Sequence, residues 1–225
     1  MTTEEREALL WKKLPFFASL DEAVRHSLAA GAADITLEAG QEVAGSLGQD
    51  GGLLLLIRGR LLVTMRSHGG RELPLYRLAA GDCYLVSQGL FGTPRLDTEA
   101  EAECRTVALQ LDLPLLSRCL AGCREAEAFF LGREAARLAE ALAALRSVLL
   151  DSLEFRLAAF LLGEAERRGG DTVYFTQDAL ARYIGSAREA VSRTLKSFSE
   201  RGLVTVLRGG VRLREREALA ALCRM

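Results

Sequence analysis

The stretch from Phe175 to Leu203, FTQDALARYIGSAREAVSRTLKSFSERGL, constrains this chain more than any other. It reads as two short helices joined by a tight turn at Gly185. The second helix has two faces. Val191, Leu195 and Phe198 recur at four- then three-residue spacing and form an apolar stripe. Arg188, Glu189, Ser192, Arg193 and Lys196 recur on the opposite side. The apolar stripe must pack on something, so the polar set is what the helix presents to a partner.

The segment that follows supports a compact module. Leu203–Leu207 and Val211–Leu213 read as two strands around Arg208-Gly209-Gly210, a hairpin signal. Helix, turn, helix and hairpin make a winged helix-turn-helix. A helix that buries one face and shows Arg, Glu, Ser, Arg and Lys on the other suits the major groove of DNA. Arg193 can donate two hydrogen bonds to guanine O6 and N7, and Glu189 can accept from cytosine N4. Ser192 suits a thymine methyl or an adenine edge. Arg188 suits a guanine or a phosphate, Lys196 a phosphate, and Arg208 at the hairpin tip a phosphate or the minor groove. Ser186, Thr176 and Gln177, at the helix starts, complete the candidate set. Ser186 and Glu189 also have capping-box spacing, which gives Glu189 a rival structural role.

Charge is divided in the same sense. Residues 171–225 hold ten Lys/Arg and six Asp/Glu, net +4, whereas residues 1–170 hold nineteen and twenty-four, net −5. A basic module on an acidic body suits a nucleic-acid contact at one end. At 225 residues, 49% of them hydrophobic, the chain is long enough for two modest domains with real cores. No apolar run approaches the roughly 18–20 residues of a membrane span, and the acidic start MTTEER lacks a signal-peptide layout. A cytoplasmic protein is expected, with Cys83, Cys104, Cys119, Cys123 and Cys223 reduced. Two isolated histidines, His26 and His68, with no nucleophile elbow, phosphate loop or metal-ligand cluster, argue against an enzyme.

Residues 4–30 read as helical with a break at Leu14-Pro15. From Ile35 to about Val107, short apolar runs alternate with Gly-rich turns, and Leu53–Ile57, Leu61–Met65 and Leu73–Leu78 read as strands. This pattern predicts an antiparallel β-roll of jelly-roll type. From Ala128 the period becomes helical: Ala128, Leu131, Ala135, Leu138, Leu142, Leu145 and Leu149 step by three and four. That is a heptad seam, narrower than the stripe of a helix packed on its own domain, and it predicts pairing with the same helix of a second chain. Asp151-Ser152-Leu153-Glu154 reads as a capping box with Asp151 as N-cap, opening a helix that ends near Arg167-Arg168-Gly169-Gly170. The expected organisation is α+β: a β-roll sensor over residues 1–127, a dimerisation helix over 128–150, and a winged helix-turn-helix over 151–225.

This order of parts resembles the CRP/FNR family of bacterial transcription regulators. The most specific segment is Gly185–Lys196, GSAREAVSRTLK, which matches the family's recognition-helix pattern of G-x-x-R-E-x-V-x-R-x-L; Gly59-Arg60-Leu61-Leu62-Val63 and Gly81-Asp82 match landmarks in the roll. The resemblance implies a cyclic-nucleotide-binding-like roll, a homodimer, double-stranded DNA and RNA polymerase as partners, and a small effector. The set Glu189, Ser192 and Arg193 resembles the FNR branch, with TTGA half-sites; Arg188 resembles the cyclic-AMP branch, with TGTGA-like half-sites. Both share a TGA core in a two-fold palindrome.

The effector does not follow from the resemblance. Cyclic-nucleotide binders of the family place a Gly-Glu-Leu and an Arg-Ser/Thr after the Gly-Asp landmark; here Cys83–Arg95 follows, CYLVSQGLFGTPR, and the ribose-binding glutamate is missing. Cyclic AMP is not expected, because losing the ribose acceptor leaves groups unpaired. No cysteine precedes Cys83, so the family's N-terminal iron–sulfur cluster is not expected either. A haem-dependent sensor of NO or CO is the alternative, with Cys83 near the ligand positions and His26 or His68 as partners. Ser87, Gln88, Thr93 and Arg95 are the candidate polar groups of an effector pocket.

Overall fold

The computed structural model describes residues 1–43, 52–66, 72–86 and 98–224. The chain divides into two compact units, Met1–Met65 with Leu75–Ala141, and Arg66–Pro74 with Leu142–Met225. The division falls inside one long helix.

The first unit opens with α1 (Thr3–Lys13), a 3₁₀ turn (Pro15–Ser19) and α2 (Glu22–Gly31). Thr2 and Glu5 form a reciprocal capping box at the start of α1, and the break falls at Leu14-Pro15 because proline supplies no amide hydrogen. Among the described residues seven strands follow: β1 (Ala33–Leu37), β2 (Gly52–Arg58), β3 (Arg60–Arg66), β4 (Glu72–Ala79), β5 (Cys83–Val86), β6 (Thr98–Ala102) and β7 (Thr106–Asp112). They form two sheets, ordered β1-β7-β2-β5 and β4-β3-β6. The described pairings are antiparallel, with Leu53 opposite Leu111 and Leu61 opposite Ala102.

The uninterrupted Leu53-Leu54-Leu55-Leu56 run is explained by this arrangement, since both faces of β2 are buried. Leu54 and Leu56 join Leu37, Leu61, Val63, Leu78 and Ala108 in the core between the sheets. Leu53 and Leu55 point the other way and pack with Leu10, Phe16, Phe17, Leu28 and Phe130 under the helices. Then come α3 (Leu113–Leu120) and α4 (Arg124–Leu150). The helix α4 has 27 residues and begins four residues before the seam that revealed it. Ala128, Leu131, Ala135, Leu138, Leu142 and Leu149 are exposed on it, and Leu145 is half-buried.

The second unit contains α5 (Leu153–Arg168), β8 (Thr172–Val173), α6 (Gln177–Tyr183), α7 (Arg188–Glu200), β9 (Val204–Leu207), β10 (Gly210–Leu213) and α8 (Arg216–Leu222). The N-cap of α5 is Ser152, whose hydroxyl accepts from the Phe155 amide at 3.1 Å. Asp151 is therefore not the cap, one residue away from the sequence expectation, because α5 starts at Leu153 and only Ser152 reaches the third amide of the turn. The helix ends as expected, with Gly169 in the left-handed conformation at φ 68°. Strand order β8-β10-β9 covers one side of the unit, and the core gathers Leu157, Leu161, Val173, Leu180, Val191, Leu195, Phe198 and Leu219.

Candidate nucleic-acid interface

Two features fix α6 against α7. Thr176 caps α6, its hydroxyl accepting from the Ala179 amide at 3.1 Å, so this candidate residue also has a structural task. At the other end the chain reverses through Gly185, φ 62°, and the Ser186 amide donates to the Ala181 carbonyl at 2.9 Å. Arg156 of α5 reaches this turn, and its guanidinium donates to the carbonyls of Ile184 and Gly185. Those carbonyls end α6 and have no intrahelical donor, so a cation there satisfies acceptors and the helix dipole together. Local sequence gave no signal for Arg156.

The N-cap of α7 is Ala187, with no side-chain cap. The Ser186–Glu189 capping box is absent: the helix starts at Arg188, which puts Glu189 one place too early to reach back. Glu189 is instead an exposed carboxylate in the first turn. Val191, Leu195 and Phe198 are 0%, 1% and 0% accessible and lock the stripe into the core. On the opposite face Arg188, Glu189, Arg193 and Lys196 are exposed and Ser192 is half-buried. Arg188 lies 3.4 Å from Asp178, and Lys196 lies 3.8 Å from Glu200. Arg193 has no hydrogen bond or ion pair among the described residues, so its donor fork is free.

The wing completes the surface. Leu207 pairs with Gly210, which makes Arg208-Gly209 a two-residue turn and leaves Arg208 exposed at the tip. An open groove of about 390 Å³ runs between wing and helices, lined by Thr176, Gln177 and Arg188 on one side and Val206, Leu207 and Gly209 on the other. The candidate residues of this module thus lie on α7, at the start of α6 and on the wing of a single unit.

Comparison with known proteins agrees with this geometry. Residues 155–222 match the model of the Crp-like helix-turn-helix domain. A crystal structure of a transcriptional regulator of the CRP/FNR family from Eubacterium rectale superposes with TM-score 0.85 at 24% identity, covering 95% of this chain and 100% of that one. The regulator CLP from Xanthomonas campestris superposes at 0.71 with 17% identity, over 86% and 99% of the two chains. A CooA mutant from Carboxydothermus hydrogenoformans gives 0.63 with 17% identity over 94% and 95%. No protein with curated function matches by sequence. Residues 155–222 thus match a Crp-like helix-turn-helix domain, and the chain shares the fold of these solved regulators. The helix α7 lies inside the matched segment.

The first unit is less fully described. Ser87, Gln88, Thr93, Arg95 and His68 lie outside the described residues. Cys83 is half-buried, and desolvation pushes its thiol up to about 12. His26 is exposed on α2. No group of three or more His, Cys, Asp or Glu is placed to hold a metal among the described residues. Next to Cys83, Asp82 gathers two cations of α4, Arg133 at 3.1 Å and Arg137 at 2.9 Å. No helix among the described residues is long and apolar enough to cross a membrane.

Proposed function

We propose that the protein acts as a homodimer whose two α7 helices read a two-fold DNA site with TGA-containing half-sites about one helical turn apart. The observation that carries this reading is the two-sided α7: a stripe sealed in the core, and Arg188, Glu189, Arg193 and Lys196 exposed together. Arg193, with its fork free, is the guanine reader, and Glu189 accepts from a cytosine. Ser192 and Ser186 line the same contact, while Arg188, Lys196, Thr176, Gln177 and Arg208 approach phosphates. Dimerisation uses the α4 seam, where Leu131, Leu138, Leu142 and Leu149 are 61%, 61%, 55% and 76% accessible. Leucines so placed over five turns need a covering surface. A small effector in the roll, other than cyclic AMP, biases the α4 pair and thereby the separation of the two reading helices.

The test is selection of bound duplexes from a randomised library, followed by anisotropy titration of the recovered sequence. A two-fold TGA-containing site supports the reading. Equal affinity for that site and a scrambled duplex at matched salt overturns it. Arg193→Ala should cost about 1–3 kcal/mol on the selected site and relax preference at one guanine.

A further inference from the structure

Behind the turn between α6 and α7 the second unit contains a cleft of about 190 Å³. Its apolar walls are Ala144 and Val148 of α4, Ala159 and Phe160 of α5, and Tyr183 and Ile184. Ser147 and Arg156 add polar side chains, and the Tyr183 ring also carries a phenol hydroxyl. Arg156 gives one nitrogen to the turn carbonyls, but its Nε is buried and has no hydrogen-bond partner among the described residues. Burial lowers its pKa, with the charge of Asp151 acting in the other direction. No carboxylate lies within 4.0 Å of this guanidinium among the described residues; Asp151 is instead 4.0 Å from Arg146.

A buried, unsatisfied donor costs about 1–3 kcal/mol, more for a charged group. The guanidinium fork matches a carboxylate, and apolar walls match a hydrocarbon body. The volume is below the roughly 300 Å³ at which drug-sized sites begin, so the occupant is small. We propose that this cleft binds a small carboxylic acid with an aromatic or alicyclic body, its carboxylate taken by Arg156. The site goes beyond the DNA-reading function and does not depend on it. Its consequence is local: the same guanidinium holds the Ile184 and Gly185 carbonyls, so occupancy acts on the turn that precedes α7. The Asp151 carboxylate opposes an incoming anion, and Arg146 offsets part of that opposition.

The test uses the full chain without DNA, which keeps its outcome separate from that of the DNA-reading proposal. Sodium benzoate is titrated by saturation-transfer NMR and calorimetry, with benzamide as the uncharged counterpart. Two variants are compared, Arg156→Met and Ala159→Trp. Ala159 is exposed at the rim, so its replacement fills the cleft without entering the core; circular dichroism checks that it stays folded. Saturable benzoate binding is expected, weakened at least about tenfold for benzamide and in each variant, equivalent to one lost charge-assisted contact. No saturation up to about 20 mM, equal binding of benzamide, or binding unchanged in Ala159→Trp overturns the proposal.

Discussion

Gly185 offers the sharpest quantitative check on the turn. Two glycines of the second unit, Gly169 and Gly185, share a left-handed backbone at φ 68° and 62°. Their surroundings differ. A Cβ built on Gly169 meets nothing within 4 Å, whereas one built on Gly185 meets the Val148 Cγ2 at 3.1 Å and the Leu73 Cδ1 at 3.4 Å. Alanine at either position incurs the left-handed penalty of about 1–2 kcal/mol, less the roughly 0.4–1 kcal/mol it gains by restricting the unfolded chain. Gly169→Ala should therefore cost about 1 kcal/mol. Gly185→Ala adds overpacking against Val148 and Leu73, about 1–3 kcal/mol more. The only tryptophan, Trp11, lies in the first unit, so its fluorescence reports the wrong part of the molecule. Hydrogen exchange in increasing denaturant, read on peptides covering residues 175–205, reports the right one. Equal destabilisation by the two substitutions would refute the packing described behind the turn. A neutral Gly185→Ala would refute the left-handed backbone itself.

Lys196→Ala should weaken binding to specific and scrambled duplexes by a similar factor and lower the slope of log affinity against log salt by about one; a sequence-dependent loss would make Lys196 a base reader. Leu138→Glu, on a residue 61% accessible in the single chain, should leave each unit folded and shift sedimentation from dimer to monomer; an unchanged sedimentation coefficient would remove the α4 seam from the interface. The Cys83 thiol is raised to about 12, so the protonated form persists through neutral pH and the nucleophilic thiolate appears only as pH nears that value. Alkylation of Cys83 in the native protein at pH 8 should be far slower than in the unfolded chain; equal rates would show that its surroundings do not raise the thiol.

The parts of this molecule that were legible in sequence are those whose cause is local and periodic. Val191, Leu195 and Phe198 announce their burial because one helix face carries them, and the hairpin announces itself through Arg208-Gly209-Gly210 between apolar runs. The four-leucine run of β2 and the strands after it were readable for the same reason. Cap positions were not, because spacing does not fix where a helix begins: Asp151 stands three residues before Glu154 as a capping box requires, yet α5 starts one residue later and Ser152 is its cap. The same one-residue ambiguity made Ser186 and Glu189 look like a cap that the Ala187 start excludes. Least legible were partners joined by the fold alone. Arg156 reaches a turn 28 residues away, and Glu72 accepts from Arg182 across 110 residues at 2.6 Å. Neither pairing leaves a trace in local spacing.

The α4 helix shows how far a sequence pattern and an energy argument support each other. Fully burying a leucine yields about 1.5–3 kcal/mol, so leucines that are 55–76% accessible in the single chain each hold about 1–2 kcal/mol in reserve. Leu131, Leu138, Leu142 and Leu149 on each of two helices would then release several kcal/mol per chain on pairing. Association itself costs about 4–15 kcal/mol in lost freedom and side-chain ordering. The gain and the cost are of the same order, so pairing in the proposed dimer would be reversible. In that proposed dimer, the relative placement of the two helices would respond to an effector whose differential affinity amounts to a few kcal/mol. A wider stripe buried on its own roll would have given a more stable monomer and no such lever.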